Sequence, residues 1–185
     1  MKYGKCMDKL KVIKNAIIIG ISLFIISANS QEKSGSFKFK ALDFGLGIYN
    51  DCQATLENGF NGDMEFQFDI NSNILSFQYK CGIGLIDNGT LFNNVFDVFL
   101  EVNLLYGREL LISKKVLCGF HLGAGYIHST KLFGDVKNAM GFPVSIKLVH
   151  VISKQISLGV SPYVNFNRLN NLYSLNLFLR VKFNK

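Results

Sequence analysis

YSLNLFLRVKF, residues 173–183, is apolar at every odd position: Tyr173, Leu175, Leu177, Leu179, Val181 and Phe183. Between them stand Ser174, Asn176, Phe178, Arg180 and Lys182. Side chains of an extended strand alternate faces with period 2, so one face of this segment is continuous hydrocarbon and the other carries charge. Seven earlier segments show a similar, less clean pattern.

Those segments are Lys40–Tyr49, Asp63–Ile70, Ile74–Leu85, Val95–Tyr106, Val116–Ile127, Phe142–Ile152 and Ile156–Asn167. Asn71-Ser72-Asn73 and Ser153-Lys154-Gln155 read as tight turns, and a short link at Glu109–Lys115 separates strands four and five. The connections after strands one, three, five and seven are long: Asn50–Gly62, Ile86–Asn94, His128–Gly141 and Arg168–Asn171. Alternating long and short connections, with both chain ends on the short side, are the habit of outer-membrane barrels. An even strand number lets the sheet close, so no unpaired edge N–H or C=O meets lipid. The expected fold is all-β: an eight-stranded antiparallel up-and-down transmembrane β-barrel.

Charge decides which face looks outward. A Lys or Arg facing lipid at mid-membrane costs about 2–4 kcal/mol, so the polar set points inward. It includes Asp43, Asp63, Glu65, Asp69, Lys80, Asp97, Glu101, Lys147, Arg180 and Lys182. Both signs occur on nearby strands, which predicts a paired interior, and eight strands leave room only for side chains. By the same register His121 points inward beside Glu101, and His150 faces lipid near the periplasmic end. Tyr49, Tyr106, Tyr126, Tyr163 and Tyr173 are candidates for an interfacial girdle.

The N-terminal thirty residues read differently. Lys2, Lys5, Lys9, Lys11 and Lys14 precede an eleven-residue apolar run, AIIIGISLFII (residues 16–26), too short for a spanning helix. Ala28 and Ser30 supply small residues before Gln31, so residues 1–30 read as a cleavable signal peptide and 31–185 as the barrel domain. The whole chain carries +7, but its mature part holds fifteen bases against twelve acids. No Lys/Arg stripe remains on any element, so a nucleic-acid reading loses its main support and no nucleic-acid partner is expected. Cys52, Cys81 and Cys118 are too few and odd in number for a disulfide framework; Cys81 and Cys118 fall on the apolar face as small hydrophobes.

The terminal strand LYSLNLFLRVKF (residues 172–183) and the glycine-rich GFHLGAGYIHS (residues 119–129) resemble the small eight-stranded outer-membrane β-barrel family of the OmpX and OmpA-transmembrane type. The alternating end with its final aromatic is similar to the signal read by the barrel-assembly machinery, although Asn184 and Lys185 follow Phe183. The resemblance implies a monomer in outer-membrane lipid of a Gram-negative bacterium, with no cofactor.

Chemistry is sparse. No CxxC, HExxH, P-loop, GxSxG or dinucleotide fingerprint occurs, and no metal set is implied. The leading expectation is a structural or surface-interaction role, with the external loops as contact surface; Lys131, Asp135 and Lys137 mark the third. A lipid A-modifying enzyme is the second: His128 and Ser129 would work at headgroup level, oriented by Glu101 or Asp97. The lipid A deacylase signature is absent, since this chain reads IHSTK at 127–131. A narrow channel is the third. A soluble lipocalin-like barrel is the rival fold, and the Gly-x-Trp opening of that family is missing.

Overall fold

The computed structural model describes residues 37–51, 58–86, 95–131, 136–169 and 171–183. Its strands are β1 (Lys38–Asp51), β2 (Gly59–Ile70), β3 (Asn73–Ile86), β4 (Val95–Ser113), β5 (Val116–Lys131), β6 (Val136–Val151), β7 (Ile156–Asn167) and β8 (Asn171–Lys182). Each pairs antiparallel with the next and β8 returns to β1, so the sheet is a closed up-and-down barrel. The signal-peptide reading of residues 1–30 lies outside the described residues.

The stagger follows from the register. Paired positions lead from Ala41 through Gln67, Ser76 and Leu105 to Gly123, which lies opposite Pro143. From Pro143 they continue through Asn165 and Leu172 to Asp51, ten residues further along β1. Over eight strands that stagger tilts the strands by about 40° from the barrel axis.

Several strands outrun their sequence-based bounds. The link expected at Glu109–Lys115 is strand down to Ser113, and only Lys114-Lys115 turn. The third long loop, expected at His128–Gly141, is mostly hairpin: β5 continues to Lys131 and β6 begins at Val136. β2 begins at Gly59 rather than Asp63. At the β5 and β6 ends polar residues such as Ser129, Thr130 and Lys137 continue the backbone pairing, and on β4 the apolar Leu110, Leu111 and Ile112 carry the strand on past Tyr106. At the β2–β3 turn Asn71 takes φ 59°, a left-handed conformation that asparagine tolerates. In the β6–β7 turn the Ser153 hydroxyl accepts from the backbone N–H groups of Gln155 and Ile156.

The faces divide as alternation requires. Leu46 is 76% exposed and Leu177 68%, both on the outer wall, while Lys80, Glu101 and Arg180 inside are 0% exposed. Two tyrosines correct the girdle: Tyr49 and Tyr163 share parity with Asp43 and Ser161 and are buried in the lumen. Tyr79, Tyr106 and Tyr126 stand exposed on the outside. Cys81 and Cys118 are free thiols on the outer face.

Candidate functional site

The interior is built in layers, starting at the end where β1 begins and β8 ends. Lys40 reaches Glu109 at 2.9 Å and Asp69 at 3.3 Å. Arg180 Nη1 also donates to Glu109. Arg180 then bridges to the next layer, where Nε and Nη2 donate to the two oxygens of Asp43 at 2.7 and 2.8 Å. Lys147 Nζ lies 2.8 Å from Asp43 and 2.7 Å from Glu65. Gln67 donates to both carboxylates, at 2.9 and 3.1 Å. Asp43, Glu65, Lys147 and Arg180 thus form a neutral set of two acids and two bases. Burying charges away from water costs several kcal/mol per ion unless pairing and hydrogen bonds offset it.

Halfway along, Asp63 accepts from Asn176, and Asn61 donates to Asn176 at 3.0 Å. Lys80 donates to Ser174 at 2.9 Å and lies 4.0 Å from Asp63, with its ammonium 3.3 Å above the centre of the Tyr163 ring. Glu101 accepts from the Tyr163 hydroxyl, Asn103 and Asn165. At the far end the ionic layers give way to an apolar cluster of Tyr49, Phe99, Ile127, Ala139 and Leu172, with Leu169 against it. Tyr49 and Phe99 meet edge to face at 4.9 Å. Gly82 leaves space for the Phe99 ring; a Cβ there would collide with it.

Of the interior charges expected from sequence, Asp43, Glu65, Lys80, Glu101, Lys147 and Arg180 are buried in this lumen. Lys182 is only half-buried, at the terminal mouth. Asp97 pairs through its backbone with Gly84 and Lys131, and its side chain lies outside the described atoms. His121 is inward and fully buried, but its neighbour is Glu65, with Nδ1 3.9 Å from Oε1, and not Glu101. The β4–β5 register accounts for the difference, because it sets His121 opposite Gly107 and Glu101 opposite Ile127, six residues away. Sequence reasoning missed Glu109 by ending β4 early. Its odd-numbered parity with Glu101 and Asn103 was the available signal.

His128 and Ser129 do not come together. They are consecutive on β5 and so point to opposite faces. Ser129 is the register partner of Phe99, which faces inward, and His128 that of Leu100 on the outer face. The His128 ring is held by Asn138 Oδ1 at 2.7 Å and Thr130 Oγ1 at 3.2 Å. Glu101, inside the wall, cannot orient it. Among the described residues no group of three or more His, Cys, Asp or Glu side chains is arranged to hold a metal ion.

Hydrocarbon outside, ion pairs inside and a sheet without an edge define the architecture of the small outer-membrane barrels. No family model and no curated protein matches the chain. Solved structures of that class do. Neisserial surface protein A superimposes with a TM-score of 0.62 at 12% identity, covering 82% of this chain and 100% of its own. Ail, the attachment invasion locus protein of Yersinia pestis, crystallised with the heparin analogue sucrose octasulfate, gives 0.56 at 11% identity, covering 82% of this chain and 100% of its own. A major outer membrane protein from Thermus thermophilus gives 0.56 at 12% identity, with 80% and 100% covered. At these identities the likeness is one of fold.

Proposed function

We propose that this chain, once residues 1–30 are removed, is a monomeric barrel in the outer membrane of a Gram-negative bacterium. The barrel-assembly machinery would insert it, and its role is structural or one of surface interaction. The observation that carries this reading is the inverted distribution of polarity. Outer-wall Leu46, Leu177 and Met140 are 76%, 68% and 68% exposed, whereas Arg180, Lys80 and Glu101 are sealed inside. Covering one such side chain gains about 1.5–3 kcal/mol, and a lipid bilayer covers them all.

The neighbours in fold include a surface protein and an attachment invasion locus protein, which supports contact at the cell surface. That contact would fall to the end of the barrel opposite the start of β1 and the end of β8, where the β5–β6 hairpin presents the exposed Lys137 and Asn138. Two observations disfavour the alternatives. Layers of paired side chains and the Tyr49–Phe99 cluster fill the lumen, which opposes a channel. The opposed directions of His128 and Ser129 oppose a catalytic pair there.

Membrane fractionation followed by a denaturing gel tests the proposal. The protein should sediment with outer membranes, and the unboiled sample should migrate as a compact species that shifts on heating. Recovery as a freely soluble periplasmic protein would refute it.

A further inference from the structure

On β4 the outer-wall residues run Leu104, Tyr106, Arg108, Leu110, Ile112, and the chain then turns at Lys114-Lys115. On β6 and the following turn they run Leu148, His150, Ile152, Lys154. Two neighbouring hairpins therefore follow one order: the apolar wall, a basic side chain, then apolar side chains (two on β4, one after β6) and lysine at the turn. The hairpins lie side by side, since the Val151 N–H donates to the Lys115 carbonyl at 2.8 Å. Pairing of β3 with β4 ends at Ile74–Gly107, so the tip of the β4–β5 hairpin projects past its β3 neighbour. Leu111 and Ile112 on it are 67% and 63% exposed, and Ile152 is 56% exposed on the adjacent turn.

We propose that these two turns form a seat for anionic phospholipid headgroups of the leaflet at the end where β1 begins and β8 ends, an inference that rests on the membrane reading above. Lys114, Lys115 and Lys154 are all exposed, and among the described residues none of them is joined to a carboxylate. The described carboxylates at this end, Asp69 and Glu109, are held by Lys40 and Arg180. Apolar side chains just inside a line of lysines suit the headgroup boundary: the hydrocarbon enters the membrane and the long stems carry their ammonium groups to phosphate. A neutral headgroup offers no net charge to these ammonium groups. Charge complementarity thus selects an anionic lipid.

The test uses the mature barrel folded in neutral detergent and mixed with equimolar phosphatidylglycerol and phosphatidylcholine of identical chains. Native mass spectrometry reads the lipid retained. The wild type should favour phosphatidylglycerol by at least roughly fivefold, the size expected for one surface lysine. Lys114→Gln/Lys115→Gln/Lys154→Gln should bring retention close to parity, and Lys137→Gln at the opposite rim should leave it unchanged. Equal retention by the wild type would overturn the proposal. So would an undiminished preference in the triple variant, which would leave the exposed hairpin to a protein partner. Failure of the membrane reading looks different: no heat-modifiable species forms and neither lipid is retained.

Discussion

Arg180 grips Asp43 with two parallel hydrogen bonds, at 2.7 and 2.8 Å, and the two residues are register partners across the β8–β1 seam that closes the barrel. The same carboxylate also takes Lys147 from β6. One acid thus ties the first strand to the last and to the far wall. Arg180→Met leaves Asp43 with one cation and Glu109 with Lys40 alone. Breaking a buried pair from one side costs about 3–5 kcal/mol. Urea unfolding of the barrel in lipid vesicles should show a loss of that size; a change below about 1 kcal/mol, the scale of an exposed ion pair, would contradict the role given to this fork.

The outer wall gives a prediction that separates lipid from water. Leu177 is 68% exposed. In a water-soluble protein, replacing so exposed a side chain by lysine changes stability by less than about 0.5 kcal/mol. Facing hydrocarbon near the middle of β8, Leu177→Lys should cost about 2–4 kcal/mol. Asn50→Lys, exposed at the rim, should cost much less. Unfolding free energies measured from vesicles, with both variants shown to fold, decide between the two environments.

Strand number, antiparallel order and the inward parity of Asp43, Lys80, Glu101 and Arg180 were legible because period-2 alternation is a local property. Tyr173 to Phe183 needs no neighbour to declare its faces. Hairpin length was not legible, because residues such as Ser129, Thr130 and Lys137 are polar whether they sit in a loop or in a strand above the hydrocarbon. Partners across the lumen were hidden for another reason. Lys147 and Asp43 are 104 positions apart, and their meeting depends on a ten-residue stagger that no single strand encodes. Tyr49 shows the opposite failure: its parity with Asp43 and Gly47 pointed inward, and its position near a strand end suggested an interface.

Glu101 tests the middle layer. Its carboxylate accepts from Tyr163, Asn103 and Asn165, and Lys80 sits on the face of the Tyr163 ring. Tyr163→Phe removes the hydroxyl but keeps the ring beneath the ammonium, so the loss should match one hydrogen bond to a charged group, about 1.5–3 kcal/mol. Tyr163→Leu removes the ring face as well and should cost a further ~0.5–2 kcal/mol. Chemical denaturation of both variants supplies the comparison. Equal losses would show that Lys80 gains nothing from the ring.

His128→Ala should leave the cell's lipid A unaltered by mass spectrometry. The imidazole faces outward between Asn138 and Thr130, whereas Ser129 has the lumen parity of its partner Phe99. A nucleophile and its base must share a face to exchange a proton. Loss of a lipid A modification in the variant would require a different arrangement of this strand.

Two barriers stand in series along the lumen: the Tyr49–Phe99 contact at one end and the Arg180–Asp43–Lys147 layer nearer the other. Phe99→Ala removes an aromatic ring from the first and leaves the second intact. Planar bilayers containing the wild type should show no steady conductance, and the variant should remain equally silent, because an ion must still cross a layer whose charges neutralise one another within hydrogen-bond distance. A steady current through Phe99→Ala would mean that the aromatic contact alone had sealed the barrel. The ionic layer would then have to be loose enough for water and ions to pass between its members.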